Sequence, residues 1–148
     1  MESLHFWMIT PDSGFPSQYP EDEVVDFLFH HLDPYGDPKD QIARCVDYAL
    51  ARNGKSGGFV LLAIKDQQLA GVTVINHTGM DGYIPSNILV YIAVDAKWRG
   101  QGIGAGLMQE ALQHCTGGVA LHVEPDNPAK RLYERLGFTH KYLEMRHP

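Results

Sequence analysis

Hydrophobic and polar positions change period several times along the chain, and each change marks an element. Leu4 to Ile9 reads as a short strand, and residues 10–20, with three prolines, as a loop. Pro20 suits the first position of a helix whose early turns carry Glu21, Asp22 and Glu23 at the positive end of its dipole. Val24, Val25, Phe27 and Leu28 supply the buried stripe of that helix, to about His31. Asp33-Pro34-Tyr35-Gly36 ends it. A second helix follows, with Asp37 as cap and Pro38 in the first turn. It buries Ile42, Cys45, Val46 and Ala49 and stops at Asn53-Gly54. Phe59 to Ile64 and Leu69 to Ile75, rich in β-branched residues and joined by residues 65–68, form an antiparallel hairpin.

After a polar loop around Gly79 to Gly82, Ile88 to Val94 is an unbroken apolar run, the signature of a strand buried on both faces. Ile103, Leu107, Met108, Ala111, Leu112 and Cys115 fall on one side of a helix spanning about 102–115. Val119 to Glu124 is a strand and Pro128 to Leu136 a short helix capped by Asn127 and closed by Gly137. Phe138 to Met145 is a last strand. The order β-α-α-β-β-β-α-β-α-β predicts a mixed sheet with helices on both faces, parallel only where a helix crosses between the fourth and fifth strands.

Composition narrows the class. At 148 residues, 44% hydrophobic and 20% charged, the chain has the size and make-up of one globular domain, 1–148. The longest apolar run falls far short of a bilayer span, and the first residues lack a basic, then apolar, secretory signal. The expected location is therefore cytoplasmic, with no membrane partner. Twelve basic against 18 acidic residues give a net charge of −6, the wrong sign for a nucleic-acid binder. Cys45 and Cys115 have no CxxC partner and read as reduced thiols. Of the eight histidines, His30 and His31 are adjacent and point about 100° apart on a helix, and no HExxH occurs, so no metal is expected.

The chemistry concentrates in one stretch, Val94-Asp95-Ala96-Lys97-Trp98-Arg99-Gly100-Gln101-Gly102-Ile103-Gly104-Ala105-Gly106. A buried strand, a basic turn and glycines opening a helix make a natural anion cradle. Glycines let backbone N–H groups approach the ligand, the helix N-terminus faces it, and Lys97 and Arg99 add charge. Glycines inside the helix, Gly104 and Gly106, cost about 1 kcal/mol each, so something compensates for them; a pyrophosphate is the natural occupant. A dinucleotide fingerprint through Gly100, Gly102, Ala105 and Glu124 fits poorly. Five residues separate Val94 from Gly100, and too little chain remains for a doubly wound sheet. Gly54-Lys55-Ser56 imitates the end of a phosphate loop, but Ala49 replaces its first glycine.

At these residues the sequence resembles the GNAT family of acetyl-CoA-dependent N-acetyltransferases, whose acyl-CoA loop reads Q/R-x-x-G-x-G/A, here Arg99, Gly102 and Gly104. A second family element, an Asn, a short helix with Ala and Leu-Tyr, and a closing Gly-Phe, matches Asn127, Ala129, Leu132-Tyr133 and Gly137-Phe138. The resemblance implies the acyl-CoA N-acyltransferase fold: a mixed sheet of six or seven strands, four helices, and a split between the fourth and fifth strands. Backbone groups of Ile92, Ala93 and Val94 would hold the pantetheine arm. The amides of Arg99, Gly100, Gln101, Gly102, Ile103 and Gly104 would cradle the pyrophosphate, and Asn127 would meet the arm from the far side.

It further implies direct attack by a primary amine on the thioester, with Tyr133 protonating the departing thiolate and strand amides stabilising the oxyanion. A tyrosine one turn from Leu136 is otherwise an ordinary core aromatic. His122 and Glu124 share a strand face, and either could take the proton of the amine; His122, with its near-neutral reference pKa, is the stronger candidate. The acceptor would be a small-molecule or peptide amine, bound beside a wall that includes His31, Asp33 and Tyr35. Asp33, Asp37 and Asp81 could attract a cation, although loop carboxylates are commonly just solvated. The 10–20 loop could fold over the amine pocket or cover the sheet, and the chain could act as a monomer or as a homodimer through a sheet edge. Other readings of the same motifs are a non-catalytic acyl-CoA sensor or interaction module, or an enzyme using a different acyl donor.

Overall fold

The computed structural model describes residues 4–148, in the order β1 (Leu4–Ile9), α1 (Glu21–Leu32), α2 (Lys39–Ala49), a 3-10 turn (Arg52–Gly54), β2 (Gly58–Lys65), β3 (Gln68–His77), β4 (Asn87–Val94), a second 3-10 turn (Ala96–Trp98), α3 (Ile103–Gln113), β5 (Val119–Leu121) and α4 (Ala129–Arg135). The strands lie side by side in chain order. The pairs β1–β2, β2–β3 and β3–β4 are antiparallel, while β4–β5 is parallel, with α3 as the crossover.

Strand alternation sorts the core into two layers. From β2, Val60, Leu62 and Ile64 pack with Val24, Leu28, Ile42 and Val46 of α1 and α2. Phe59, Leu61 and Ala63 pack on the opposite face with Ile103, Leu107, Met108 and Ala111 of α3 and with Tyr133 of α4. Gly71 permits the close approach of α3, since a Cβ there would lie 2.7 Å from Leu107 Cδ1. The β2–β3 turn runs through Asp66 and Gln67, both at positive φ (51° and 65°), as a two-residue primed turn requires.

Five expectations need correction. The sheet has five strands among the described residues, not six or seven, and Phe138 to Met145 forms none. Phe138 still packs on the α3-side core, but Tyr142, Leu143 and Met145 are 81%, 93% and 91% exposed. A strand there needs an edge to pair with, and β5 offers a ladder of only three residues, ending at Leu121 rather than Glu124. Asp37 does not cap α2: Pro38 occupies the cap position without a side-chain bond, and the Asp37 carboxylate is taken by Tyr91. Pro20 is likewise the cap of α1 and not its first helical residue.

The 10–20 loop covers the sheet. Phe15 and Tyr19 pack on the α1/α2-side core, Tyr19 stacks edge-on with Trp7, and its hydroxyl donates to Gln67 O at 2.9 Å. Both cysteines are free thiols, and burial pushes that of Cys45 up to about 12. Among the described residues no helix is long and apolar enough to cross a membrane.

Candidate functional site

The β4–β5 ladder is short. Asn87, Ile88 and Leu89 pair with Val119, Ala120 and Leu121, after which the strands part and β4 continues to Val94 with its edge open. At the point of parting β4 carries a bulge: Tyr91 pairs with Val74 but Leu89 with Ile75, leaving Val90 as the extra residue. The bulge re-aims side chains. Leu89 and Ile92 join the α3-side core, whereas the consecutive Val90 and Tyr91 both join the α1/α2 side. A polar clamp holds the closed end. Asn87, 1% exposed, donates through Nδ2 to Thr116 O (2.9 Å) and Gly118 O (3.2 Å), while its Oδ1 lies 2.7 Å from His77 Nδ1. Nothing in the sequence singled out Asn87.

Ladder parity decides which backbone groups face the split. Asp95 N–H donates to Ala70 O on the β3 side, so the Val94 carbonyl, on the same planar peptide, points the other way. Continuing the alternation, both backbone groups of Ile92 and the N–H of Val94 face the split, while Ala93 turns its own toward β3, its partner Val72. The Val94 carbonyl accepts from Arg99 Nε at 3.1 Å. Of the three residues expected to hold an arm, Ile92 therefore offers most.

Beyond β4, Asp95 Oδ1 accepts from Lys97 N at 3.0 Å and tightens the turn. Gly100 and Gly102 are both left-handed at φ 82°, with open space where a Cβ would stand, and Gly102 is the N-cap of α3. A side chain would be strained there, which accounts for the glycines. The N–H groups of Gly100 through Gly104 find no acceptor among the described residues. Successive free amides at a helix N-terminus suit an anion with several oxygens, and a pyrophosphate fits that donor set.

Arg99 stands apart from the cradle. Its N–H donates to Ala96 O at 3.4 Å, and its guanidinium bonds the Val94 carbonyl and, through Nη2, His31 O at 3.0 Å, tying the end of α1 to β4. Lys97 donates to Gln68 Oε1 at 2.9 Å and lies 4.4 Å over the Trp98 ring. Lys65, at the end of β2, donates to Gln101 Oε1 at 2.5 Å and so brings a further cation to the cradle. Only sheet pairing delivers it there.

The far wall comes from the segment between β5 and α4. Asn127 Oδ1 accepts from Ala129 N at 2.9 Å at the start of α4, and its amide NH2 has no partner among the described residues. Tyr133 is 7% exposed, its ring 6.2 Å from that of Phe138, and its hydroxyl has no partner among the described residues. Burial raises the pKa of this phenol above the usual tyrosine value, so it keeps its proton at neutral pH and can donate it. His122 and Glu124 lie just past β5 on one exposed face, with Val123 between them packed on the core. The His122 side chain is 63% exposed, with Nδ1 3.9 Å from Glu144 Oε1. Among the described residues no three His, Cys, Asp or Glu side chains gather as metal ligands.

The wall on the α1/α2 side holds contacts that sequence reasoning missed. The Tyr91 hydroxyl donates to Asp37 Oδ2 at 2.5 Å, and the Tyr35 hydroxyl donates to Asp126 O at 3.4 Å. His31 Nε2 lies 3.6 Å from Asp95 Oδ2, and burial lowers the His31 pKa, only partly opposed by Asp95.

Comparison with known proteins bears on the family and the fold. The family model described as an acetyltransferase (GNAT) domain matches residues 56–140. A mycothiol acetyltransferase of Nocardiopsis dassonvillei is 34% identical over 90 residues, a stretch that is 55% of this chain but 27% of that protein. The chain thus matches about a quarter of that relative's length. Among solved structures, a GNAT family acetyltransferase from Streptococcus pneumoniae superimposes with a TM-score of 0.67 at 16% identity, covering 100% of this chain and 98% of that one. An aminoglycoside N-acetyltransferase, AAC(6')-Iy, in complex with CoA gives 0.66 at 16% identity, covering 100% and 95%.

Proposed function

Because the chain belongs to the GNAT family of acetyltransferases, we propose that it transfers an acetyl group from acetyl-CoA to a primary amine of a small molecule or peptide. One observation carries this reading: a row of unpaired N–H groups from Gly100 to Gly104 runs on from the open edge of β4. A pyrophosphate with an extended arm would use both.

When bound, acetyl-CoA supplies the acetyl group as an activated thioester. The chain's own residues do the rest. The N–H groups that β4 directs into the split hold the arm and donate to the thioester carbonyl oxygen, where negative charge develops. Tyr133 stands across from β4 with a protonated phenol and delivers its proton to the departing thiolate. His122, or Glu124, directly or through water, takes the proton that the attacking amine sheds.

The test separates donor binding from chemistry. Saturating acetyl-CoA, at about 100 times its dissociation constant, should stabilise the protein by roughly 2.7 kcal/mol and raise the melting temperature by several degrees, where NAD and ATP do not. Tyr133→Phe should keep that shift while thiol release slows about 10²-fold or more. A shift with NAD instead would sink the donor assignment, and wild-type turnover in Tyr133→Phe would reduce Tyr133 to a packing residue.

A further inference from the structure

Apart from tyrosines, two polar side chains are buried among the described residues, Asn87 at 1% exposed and Thr73 at 0%. Asn87 clamps the closed end of the split. Thr73 lies toward its open end, on β3 opposite Ile92. The residues two positions away on either side, Gly71 and Ile75, face the α3 layer, so strand alternation puts the Thr73 side chain in that apolar layer too. A hydroxyl there costs stability unless it is bonded, and a valine, as at positions 72 and 74, would fill the same space without that cost. What distinguishes threonine here is one hydrogen bond: its Oγ1 donates to Tyr91 O at 2.8 Å.

That bond reaches the split through a single peptide. The Tyr91 carbonyl and the Ile92 N–H belong to one planar unit and point in opposite directions. With the carbonyl held on the β3 side, the N–H is directed into the split, in agreement with ladder parity. In a strand paired on both sides a second neighbour would hold the N–H. Here β5 has already parted from β4, and the bulge at Val90 interrupts the ladder one residue before Tyr91. The peptide is thus held from the β3 side alone, and Thr73 adds a bond that the main chain does not supply. A carbonyl oxygen has two lone pairs, so it takes the hydroxyl beside a ladder bond. Of the two N–H groups that β4 turns into the split, those of Ile92 and Val94, the former alone shares a peptide with a carbonyl bonded by a side chain among the described residues.

We propose that Thr73 is a positioning residue for acetyl transfer: from the buried side of the sheet it fixes and polarises the Tyr91–Ile92 peptide, so that the Ile92 N–H serves as the donor to the thioester carbonyl. The inference rests on the reading that the split takes acetyl-CoA. Thr73 does not touch the donor and works in two ways. It restrains the peptide from rotating its N–H away from the split. The bond accepted by the carbonyl also strengthens the N–H on the same peptide, as along any chain of hydrogen bonds in a low-dielectric interior, by about 10–30% per bond. Both effects count most as negative charge develops on the thioester oxygen, where a donor already in place needs no reorganisation.

The experiment compares the full chain with Thr73→Val, which keeps the volume and loses the hydroxyl, and Thr73→Ser, which keeps the hydroxyl. Isotope-labelled protein is read free, and unlabelled protein is read with saturating acetyl-CoA carrying 13C at its acetyl carbonyl. In the free protein, Thr73→Val should move the Tyr91 carbonyl carbon and the Ile92 amide upfield, and Thr73→Ser should return them toward the wild-type positions. In the complex, the wild type should displace the acetyl carbonyl signal downfield from that of free acetyl-CoA. That displacement should shrink by about 10–30% or more in Thr73→Val and recover in Thr73→Ser. Acetyl-CoA affinity, carried mainly by the cradle, should stay within about threefold in both variants. A bound carbonyl that is not displaced in the wild type, an equal displacement in Thr73→Val, or a Thr73→Ser protein that behaves as Thr73→Val would each overturn the proposal. Melting is scored separately: no rise with acetyl-CoA in the wild type refutes the donor reading, whereas a rise together with an unmoved Tyr91–Ile92 peptide in Thr73→Val refutes the role of Thr73 alone.

Discussion

The sides of the split proposed for the donor and for the acceptor are built by opposite means. Backbone groups make the donor side, from a nearly continuous run, Ile92 to Gly104, in which a strand edge passes through a turn into a helix N-terminus. Side chains form the contacts on the other side, from segments far apart in sequence: Asp37 meets Tyr91 across 54 positions, and Tyr35 meets Asp126 across 91. A backbone site tolerates side-chain change except where φ is left-handed, as at Gly100 and Gly102. A side-chain site can be rewritten one residue at a time while the sheet beneath it stays intact. This difference teaches where one cofactor cleft can be kept while its acceptor changes.

The largest expected effect breaks the donor side at its backbone. Gly102→Val forces a β-branched residue into a conformation of φ 82°, costing about 1–2 kcal/mol locally. It should also turn the free amides away from the anion. Each charge-assisted bond is worth about 1.5–3 kcal/mol, so the loss of two should lower acetyl-CoA affinity about 100-fold or more in a calorimetric titration. Acetyl-CoA binding as tight as in the wild type would show that the cradle lies elsewhere.

A smaller effect tests a place where the donor side depends on a side chain. Asn87→Leu removes the side-chain donor to Thr116 O and Gly118 O and the partner of His77 Nδ1 at the closed end of the split, while Gly118 O keeps the Asn87 main-chain N–H. The side-chain hydrogen bonds lost contribute about 0.5–1.5 kcal/mol each, read as a fall of several degrees in the melting temperature. Undiminished stability would mean that the three-residue ladder suffices to hold β5 by itself.

The smallest effect follows His31, where α1 meets the turn after β4. Burial holds its folded pKa below the ordinary 6.5, although Asp95 pulls the other way. The unfolded chain consequently takes up a proton first as the pH falls. Stability from neutral His31 is complete above the unfolded value and is lost as the pH drops through it toward the folded one. Urea midpoints measured above and below that range should fall less in His31→Gln than in the wild type. An identical fall in both would remove His31 from the acid response.

Much of the fold was legible because its signals are local. The run Ile88 to Val94 announced the central strand, and the face of Ile103, Leu107, Met108 and Ala111 announced the crossover helix. The last strand failed for a reason that no local pattern carries: Phe138 to Met145 has the residues of a strand, but β5 gives it no long edge. Asp37 was misread as a helix cap for the same reason. A cap depends on the next three residues, whereas the contact with Tyr91 depends on how the sheet places β4.

By itself, the sequence determined the order of elements as far as the short final helix, the two-layered core, the glycine turn and the tyrosine of that helix. Each of these follows from residues within a turn or two of one another, where period and backbone conformation act directly. Tertiary structure alone decided which groups of Ile92, Ala93 and Val94 face the split and that Arg99 braces α1 instead of the anion. It also brought Lys65 to the cradle and Asp37 to the hydroxyl of Tyr91. Those outcomes hang on ladder parity, on a single bulge at Val90, and on contacts between segments that meet only after the sheet has formed.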